Sequence, residues 1–468
     1  MSYPKRWTAL AVLSATGLMT VLDGSIVTVA MPAIQADVGF TATGLSWMVN
    51  AYLIPFGGLL LLAGRLGDLL GRRRMFLAGN AVFTGASLLA GLATGPGLLI
   101  TARFLQGVGS ALASAVVLGI LVTLFTDPVE RGKAIAVFSF TGAAGASIGQ
   151  VLGGVLTDVL SWPWIFFINV PIGVATIALA LVALPAERGA GWSPHTDVLG
   201  AVLVTSGLML GIYTIVTNGR YAWLTATVAL ALLAGFVARQ VTAREPLMPL
   251  RILRSRDVTG ANLAQMLSLS GMFAFQVLVA LHMQKVLGYG ALETGLAMLP
   301  AAVGIGVVSL FVSAPLSTRF GAHTVLRAGL LLLIAAMALL TRIPVQASYV
   351  TDLLPVMLLI SGGGLVLPAL ATLGMSGAEQ SDAGLASGLF NTTQQVGMAL
   401  GVAVLSTLAA TRTDRLLTAG ADQAAALTGG YRLAFATSAG LLATALLVAV
   451  LVLRRPAREI APAPVTAG

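Results

Sequence analysis

Apolar segments of about 20 residues follow one another along almost the whole chain, with short polar stretches between them. A helix of about 20 apolar residues is long enough to cross a hydrocarbon core of about 30 Å. The strict alternation of apolar and polar residues that a membrane barrel requires does not appear. The pattern therefore predicts an all-α membrane protein with about fourteen transmembrane helices. The predicted spans cover residues 8–33, 44–64, 75–93, 97–125, 134–158, 164–184, 197–217, 222–242, 258–284, 294–317, 324–343, 350–374, 384–409 and 432–453.

The composition agrees with a lipid environment, since 57% of the residues are hydrophobic and only 9% are charged. The chain contains no cysteine, which excludes disulfides and thiolate metal sites, and we predict no metal. The formal net charge is +9, but the basic residues are spread over short loops rather than gathered on one face. We therefore expect the lipid bilayer, and no nucleic acid, as a partner.

The distribution of basic residues between the loops predicts the orientation of the chain. Loops rich in Lys and Arg face the cytoplasm, and most basic residues fall on alternate predicted loops or at the termini. These are Lys5, Arg6, Arg65, Arg72, Arg73, Arg74, Arg131, Lys133, Arg188, Arg239, Arg244, Arg251, Arg254, Arg256, Arg319, Arg327, Arg454, Arg455 and Arg458. We expect both termini in the cytoplasm. Abundant Arg, Ala and Gly are typical of a GC-rich bacterium, so we expect a multi-pass protein of a bacterial cytoplasmic (inner) membrane.

A weak internal repeat and a polar linker predict the domain organisation. Residues 64–71, between spans 2 and 3, align with residues 314–321, between spans 10 and 11. Such repeats are typical of duplicated transporter architectures. The polar stretch 243–257 is interpreted as a cytoplasmic linker. The predicted parts are an N-terminal six-helix bundle (1–186), two inserted helices, 7 and 8 (187–242), and the linker with a C-terminal six-helix bundle (243–468).

Asp23 is the one acidic residue that the predicted map puts well inside a span. An ionised carboxylate at that depth is costly unless it faces a polar cavity or a partner. Burial favours the neutral carboxyl and an aqueous opening favours the ionised one, so Asp23 is interpreted as a proton-coupling residue. Two alternatives are that Asp23 hydrogen-bonds a neighbouring helix, or that it caps a helix break near Gly24.

Arg103 is a basic residue that the predicted map places within a span, about two turns into span 4. Because arginine keeps its charge at any accessible pH, its role would be electrostatic. One interpretation is that Arg103 steadies the proton-binding site or organises contacts between spans. The alternative is that its side chain extends to the outer interface, since Arg103 lies near the end of the span.

The segment from Gly64 to Arg74 joins spans 2 and 3 through a short basic turn that also contains an acid. It resembles the signature loop of the major facilitator superfamily. The resemblance implies that Asp68 locks the outward-facing state through basic partners, and that Gly64 and Gly71 allow close helix approach. The residues of this gating loop are Gly64, Arg65, Asp68, Gly71, Arg72, Arg73 and Arg74.

Span 5 carries glycines four or five residues apart, which let a neighbouring helix pack closely along one face. Packing alone accounts for them. Their spacing also resembles the antiporter motif of exporters in the same superfamily, with Gln150 where the family usually has the proline that kinks the helix. The motif residues are Gly145, Gly149, Gln150, Gly153 and Gly154.

Two further segments, 22–32 and 162–173, resemble the fourteen-helix drug:proton antiporter branch of that superfamily, although Pro163 stands where arginine is usual. The resemblance continues at Arg327 and over residues 384–391. It implies the major facilitator fold, with two six-helix bundles and two inserted helices, and it makes Asp23 the carboxylate of span 1.

In such folds the substrate binds near the bilayer midplane, between the two bundles. Amides there either line the cavity or hydrogen-bond neighbouring helices, and methionine is adaptable enough for a cavity wall. His282 is expected at the outer interface rather than in the centre. The candidate lining residues are Met19, Thr20, Gln265, Gln276, Asn391, Gln394 and Gln395.

Together these features predict a secondary transporter that exports small amphipathic compounds, such as drugs, antibiotics or secondary metabolites, in exchange for protons. The proton gradient would supply the energy, with no cofactor, and we expect a functional monomer. One alternative is a proton-coupled uptake symporter on the same fold. A second is an intramembrane lipid-modifying enzyme, which the absence of clustered acids in the sequence disfavours.

Overall fold

The computed structural model describes residues 5–41, 44–186, 197–217, 221–243, 246, 255–376 and 383–453. Throughout these residues the regular structure is helical. The helices are α1 (Arg6–Val38), α2 (Ser46–Leu70), α3 (Arg72–Gly91), α4 (Pro96–Leu124), α5 (Pro128–Val159), α6 (Trp164–Phe167), α7 (Asn169–Ala183), α8 (Val198–Thr217), α9 (Ala222–Thr242), α10 (Arg256–Lys285), α11 (Ala291–Val307), α12 (Ser313–Phe320), α13 (Ala322–Leu340), α14 (Leu354–Leu359), α15 (Gly363–Ser376), α16 (Ala383–Thr418) and α17 (Gln423–Leu451).

The predicted spans fall largely on this helical backbone, and several helices extend beyond them. Ten helical runs among the described residues are long and apolar enough to cross a membrane. Two shorter apolar segments, Ile148–Val159 and Val198–Gly211, lie within α5 and α8. The all-α fold class is therefore confirmed, whereas the number of fourteen crossings remains a prediction.

The helices pack into an N half, α1–α7, and a C half, α10–α17. In the N half, α1 packs on α5, and α4 packs on both α2 and α3. In the C half, α10 packs on α16 and α17, and α13 packs on α15 and α17. The halves meet where α2 contacts α16 and where α5 contacts α11. The predicted domain boundaries remain predictions, and most of the predicted linker, 243–257, lies outside the described residues.

Helices α8 and α9 form a hairpin beside these halves, and α8 contacts both α2 and α16. Asp197 holds the base of the hairpin together. Its carboxylate accepts hydrogen bonds from the backbone N–H of Gly200 (3.0 Å), from Arg239 Nε (3.0 Å) and from Gln240 Nε2 (2.7 Å). Burial alone would raise the pKa of Asp197, but these hydrogen bonds and the Arg239 charge outweigh it and lower the pKa.

The internal repeat corresponds to two similar turns. Gly71 separates α2 from α3 with φ +102°, and Gly321 separates α12 from α13 with φ +83°. Only glycine adopts such left-handed backbone without a steric penalty. Each glycine therefore allows one helix to end and the next to begin within a single residue.

Candidate functional site

The centre of the N half is built around Asp23, which lies more than halfway along α1 and is fully buried. Helix α1 runs without interruption from Arg6 to Val38, so Asp23 does not cap a break near Gly24. That alternative is wrong, because the continuous helix already satisfies the backbone groups around Gly24. The Asp23 carboxylate instead finds its partners on other helices.

Three side chains from two helices meet the carboxylate of Asp23. Arg103 of α4 forms an ion pair with it through Nη1. Gln106, one turn further along α4, donates from Nε2 to Oδ1 at 3.1 Å, and Asn169 of α7 donates from Nδ2 to the same oxygen at 2.9 Å. All four residues are at most 1% exposed. A buried charge needs this degree of compensation, and the pair as a whole is electrically neutral.

Arg103 is fixed by more than its ion pair. Its Nε donates to the backbone carbonyl of Met48 in α2 at 2.9 Å, and its Nη1 donates to Gln106 Oε1 at 2.8 Å. The guanidinium lies 4.5 Å from the ring centroid of Tyr52 and 5.9 Å from that of Phe166. Such cation–π contacts stabilise a desolvated cation. Arg103 is therefore an interior residue that joins α1, α2 and α4, and it does not extend to the interface.

Neutral hydrogen bonds extend this network through the N half. Gln106 Nε2 also contacts Ser87 Oγ of α3 at 2.8 Å. The Tyr52 hydroxyl lies 3.0 Å from the Ser110 hydroxyl and 3.4 Å from the backbone carbonyl of Thr20, to which it donates. Five helices, α1, α2, α3, α4 and α7, are thus tied to one buried ion pair, which we call the Asp23–Arg103 centre.

The glycines of the predicted antiporter motif pack against the helix that carries Asp23. A Cβ at Gly145, Gly149 or Gly153 would lie 3.0 Å or less from a backbone oxygen of α1. At Gly149 that oxygen belongs to Leu22, the residue before Asp23. Because backbone atoms cannot move aside cheaply, larger residues at these positions would push α1 and α5 apart.

The end of the same motif faces the other half of the molecule. A Cβ at Gly154 would lie 2.5 Å from the Cα of Leu292 in α11, and a Cβ at Gly295 would lie 2.5 Å from the backbone oxygen of Gln150. Helix α5 continues through Gln150 without a break. Helix α5 therefore contacts the Asp23 helix on one side and α11 on the other.

In the predicted gating loop, close helix approach occurs at a residue that the sequence did not indicate. Among the residues that the structure describes, a Cβ at Gly64 would meet nothing within 4 Å, which contradicts the prediction that Gly64 allows close approach. Gly67, almost one turn further along α2, would place a Cβ 2.3 Å from a methyl group of Val116 in α4. Gly71 serves the turn through its positive φ instead.

The basic side chains of the same loop bind helix ends in the N half. Arg72 donates from Nη1 to a carbonyl of α4 at 3.2 Å, and Arg73 donates from Nη2 to a carbonyl of α7 at 2.5 Å. Arg74 is exposed. The side chains of Arg65 and Asp68 lie outside the described part of the chain, so the locking role of Asp68 stays a prediction.

The predicted cavity-lining residues divide between the two halves. Met19 and Thr20 are buried in the N half, where the Thr20 hydroxyl donates to a carbonyl of its own helix at 2.8 Å. In the C half, Gln265 of α10 is buried and donates to a carbonyl of α16 at 3.3 Å. Gln276 of α10 and Asn391, Gln394 and Gln395 of α16 are half-buried. A shared substrate cavity remains a prediction.

His282 is fully buried in the protein interior, although it lies only three residues before the end of α10. Its ring stands edge-on to Tyr431 of α17, with 6.0 Å between the ring centroids. Among the described residues, neither ring nitrogen has a hydrogen-bond partner. Helix α17 covers this face of α10, and the depth of His282 in the membrane stays a prediction.

Sequence reasoning also missed members of the network, among them Asn169, Ser87 and Tyr52. A signal existed for Asn169, since it is a lone amide within the apolar stretch of residues 162–173. Polar residues within spans usually bond a partner or serve a function.

Over the residues that the structure describes, no group of three or more His, Asp or Glu side chains could hold a metal ion.

Comparison with known proteins identifies the family to which the chain belongs. The family model of the Major Facilitator Superfamily matches residues 13–402. The chain belongs to this superfamily. It is a multi-pass membrane transporter, and the alternative of an intramembrane enzyme is wrong. The predicted family, fold class and transporter class are thereby confirmed.

Two curated relatives and one solved structure describe this similarity in more detail. The chain is 37% identical to the puromycin resistance protein pur8 of Streptomyces alboniger, over 96% of this chain and 92% of that protein. It is 38% identical to the cephamycin export protein CmcT of Amycolatopsis lactamdurans, over 87% and 86%. The fold matches a crystal structure of the POT family transporter PepTSo with a TM-score of 0.70 at 14% identity, covering 96% and 99% of the two chains.

Proposed function

We propose that this transporter exports small amphipathic compounds in exchange for protons by alternating access. The observation that carries the proposal is the buried Asp23–Arg103 ion pair, a titratable group enclosed at the centre of one half. Export is supported by the relatives, whose names describe resistance to puromycin and export of cephamycin. The proton step is supported by the chemistry of the pair.

Protonation of Asp23 would change the bonding at this centre in a defined way. The ionised carboxylate forms an ion pair with Arg103, whereas the protonated acid carries no charge to attract the guanidinium and only accepts a hydrogen bond from it. Arg103 would keep the Met48 carbonyl, the Gln106 amide oxygen and two aromatic rings as partners. The cation therefore stays in place while α1 loses its ion pair with α4.

The packing of α5 connects this centre to the seam between the halves, by which we mean the contacts of α2 with α16 and of α5 with α11. The glycines of α5 contact α1 beside Asp23, and Gly154 at the end of the same stripe contacts Leu292 of α11. Gln284 of α10 adds a contact across the seam, donating to the Val29 carbonyl of α1 at 3.0 Å. A shift of α1 on protonation would therefore alter the contacts that hold the two halves together.

We further propose fourteen membrane crossings from the apolar segments, cytoplasmic termini from the loop charges, and residence in a bacterial cytoplasmic membrane. A transporter of this superfamily needs no bound cofactor. Protons entering the cell would supply about 2.3 kcal/mol per charge per 100 mV of membrane potential. We expect lipophilic substrates and a functional monomer.

The test uses everted vesicles with an acidic lumen, in which an exporter accumulates substrate as protons leave. We expect Asp23→Asn to abolish this exchange, because the amide cannot release a proton. Asp37→Asn is the matched control, since Asp37 lies on the same helix but is exposed and binds the Trp162 indole. Wild-type-like exchange by Asp23→Asn would refute the proposal. Substrate moving in the same direction as the protons would instead support the uptake symporter.

A further inference from the structure

At the place where the two halves meet, uncharged segments of three helices come together. Helices α2, α8 and α16 contact one another in pairs at this place. No Asp, Glu, Lys, Arg or His occurs in residues 46–64 of α2, in 198–217 of α8 or in 383–411 of α16. Substrate recognition at this junction cannot depend on a charged side chain from these segments.

Two neighbouring glycines of α2 bring the other two helices together. A Cβ at Gly57 would lie 2.6 Å from the Cβ of Gln395 in α16. A Cβ at Gly58 would lie 2.9 Å from the hydroxyl oxygen of Thr205 in α8. Both glycines lie near the middle of α2, which runs from Ser46 to Leu70. We call Gly57, Gly58, Thr205 and Gln395 the α2–α8–α16 junction.

The polar atoms of this junction are buried without partners. Within the described chain, neither the Thr205 hydroxyl nor the Gln395 amide oxygen has a hydrogen-bond partner, and Thr205 is 9% exposed. Asn50, two helical turns from Gly57 on the same face of α2, is fully buried with both amide atoms unpartnered. Buried polar atoms without partners are rare in native structures, so these atoms are candidates for hydrogen bonds with a ligand.

We propose that the α2–α8–α16 junction binds an uncharged, hydrogen-bonding group of the transported compound, such as a hydroxyl or an amide. The Gln395 oxygen accepts from an O–H or N–H of that group, and the Thr205 hydroxyl donates or accepts. The site opens as α2 and α16 separate in the transport cycle. Helix α8, one of the two inserted helices, thereby becomes part of the binding site. The inference rests on the proposed export function, but it needs no role for Asp23 in contacting the substrate.

The test compares two probes in the everted-vesicle assay. Puromycin carries hydroxyl and amide N–H groups, whereas tetraphenylphosphonium carries a permanent charge and no hydrogen-bond donor. We expect Thr205→Val and Gln395→Met each to raise the KM for puromycin about tenfold, the effect of losing one hydrogen bond. The KM for tetraphenylphosphonium and the proton exchange that accompanies it should not change. Thr227→Val is the matched control, because that hydroxyl is exposed and bonds its own helix.

A second measurement does not depend on the transport rate of a variant. Since the chain contains no cysteine, Thr205→Cys supplies the only thiol for labelling with N-ethylmaleimide. We expect puromycin to slow this labelling several-fold and tetraphenylphosphonium to leave it unchanged. Unchanged puromycin KM in both variants, or unprotected labelling, overturns the inference while the proposed function stands. A wild-type chain that moves neither probe contradicts the proposed function itself.

Discussion

The two halves of the molecule differ in whether they bury charged side chains. In the N half, Asp23 and Arg103 are charged and enclosed, and each is bonded to several neighbours. In the described part of the C half, no Asp, Glu, Lys or Arg is buried. The buried polar side chains there include His282 and Gln265, which keep atoms without a hydrogen-bond partner.

This difference separates two tasks that a proton-driven exporter must perform. A buried charge must be compensated by its own surroundings, so its bonding changes when a proton neutralises it. A neutral amide or hydroxyl does not need a counter-charge. When it has no partner in the protein, it can form a hydrogen bond with a bound substrate. The N half is thus equipped to respond to protons, and the seam with the C half is equipped to respond to substrate.

The largest expected effect comes from removing the cation of the N half. Arg103→Ala leaves the Asp23 carboxylate buried without its counter-charge, and breaking a buried pair in this way costs about 3–5 kcal/mol. We expect a strong fall in the melting temperature of the detergent-solubilised protein and loss of proton exchange. Arg319→Ala is the control, because Arg319 is an exposed residue of α12.

The double variant Asp23→Asn/Arg103→Gln sharpens this result. It removes both charges, so most of the thermal stability should return while proton exchange stays absent. If Arg103→Ala alone has the melting temperature of the wild type, the stability of the N half does not depend on its ion pair. The buried charge would then not distinguish the N half from the C half.

A smaller effect is expected from the packing that surrounds the ion pair. Gly149→Ala would place a methyl group 2.8 Å from the backbone oxygen of Leu22. Overpacking of this kind costs about 1–3 kcal/mol, and we expect lower thermal stability together with slower exchange. Both quantities are measured on the same preparations as above.

Gly24→Ala is the matched control for this packing prediction. Gly24 lies next to Asp23, but a Cβ there meets nothing within 4 Å. Alanine within a helix is favoured over glycine by roughly 0.5–1 kcal/mol, so this variant should be as stable as the wild type or slightly more stable. Equal losses in both variants would mean that the α1–α5 contact is not what matters.

The sequence predicted how deep a residue lies within a span better than it predicted which residues that side chain contacts. Asp23 and Arg103 stood out because charged residues within apolar spans are rare. That they form one pair could not be read from the sequence, since the residues are 80 positions apart and hydropathy gives no direction around a helix. The same limit explains Gly67, whose close contact depends on which face of α2 meets α4. Thr205 escaped notice because a lone hydroxyl is common in membrane helices.

The smallest expected effect tests the C half directly. His282→Leu removes a buried imidazole whose ring nitrogens have no hydrogen-bond partner among the described residues, so no hydrogen bond is lost. We expect a melting temperature equal to or above that of the wild type and unchanged proton exchange. The control is Ser270→Ala on the same helix, which loses a hydrogen bond of 2.8 Å to the Gly397 carbonyl and should be destabilised by about 1 kcal/mol. Loss of proton exchange in His282→Leu, at normal stability, would move part of the proton coupling into the C half and end the division of tasks between the halves.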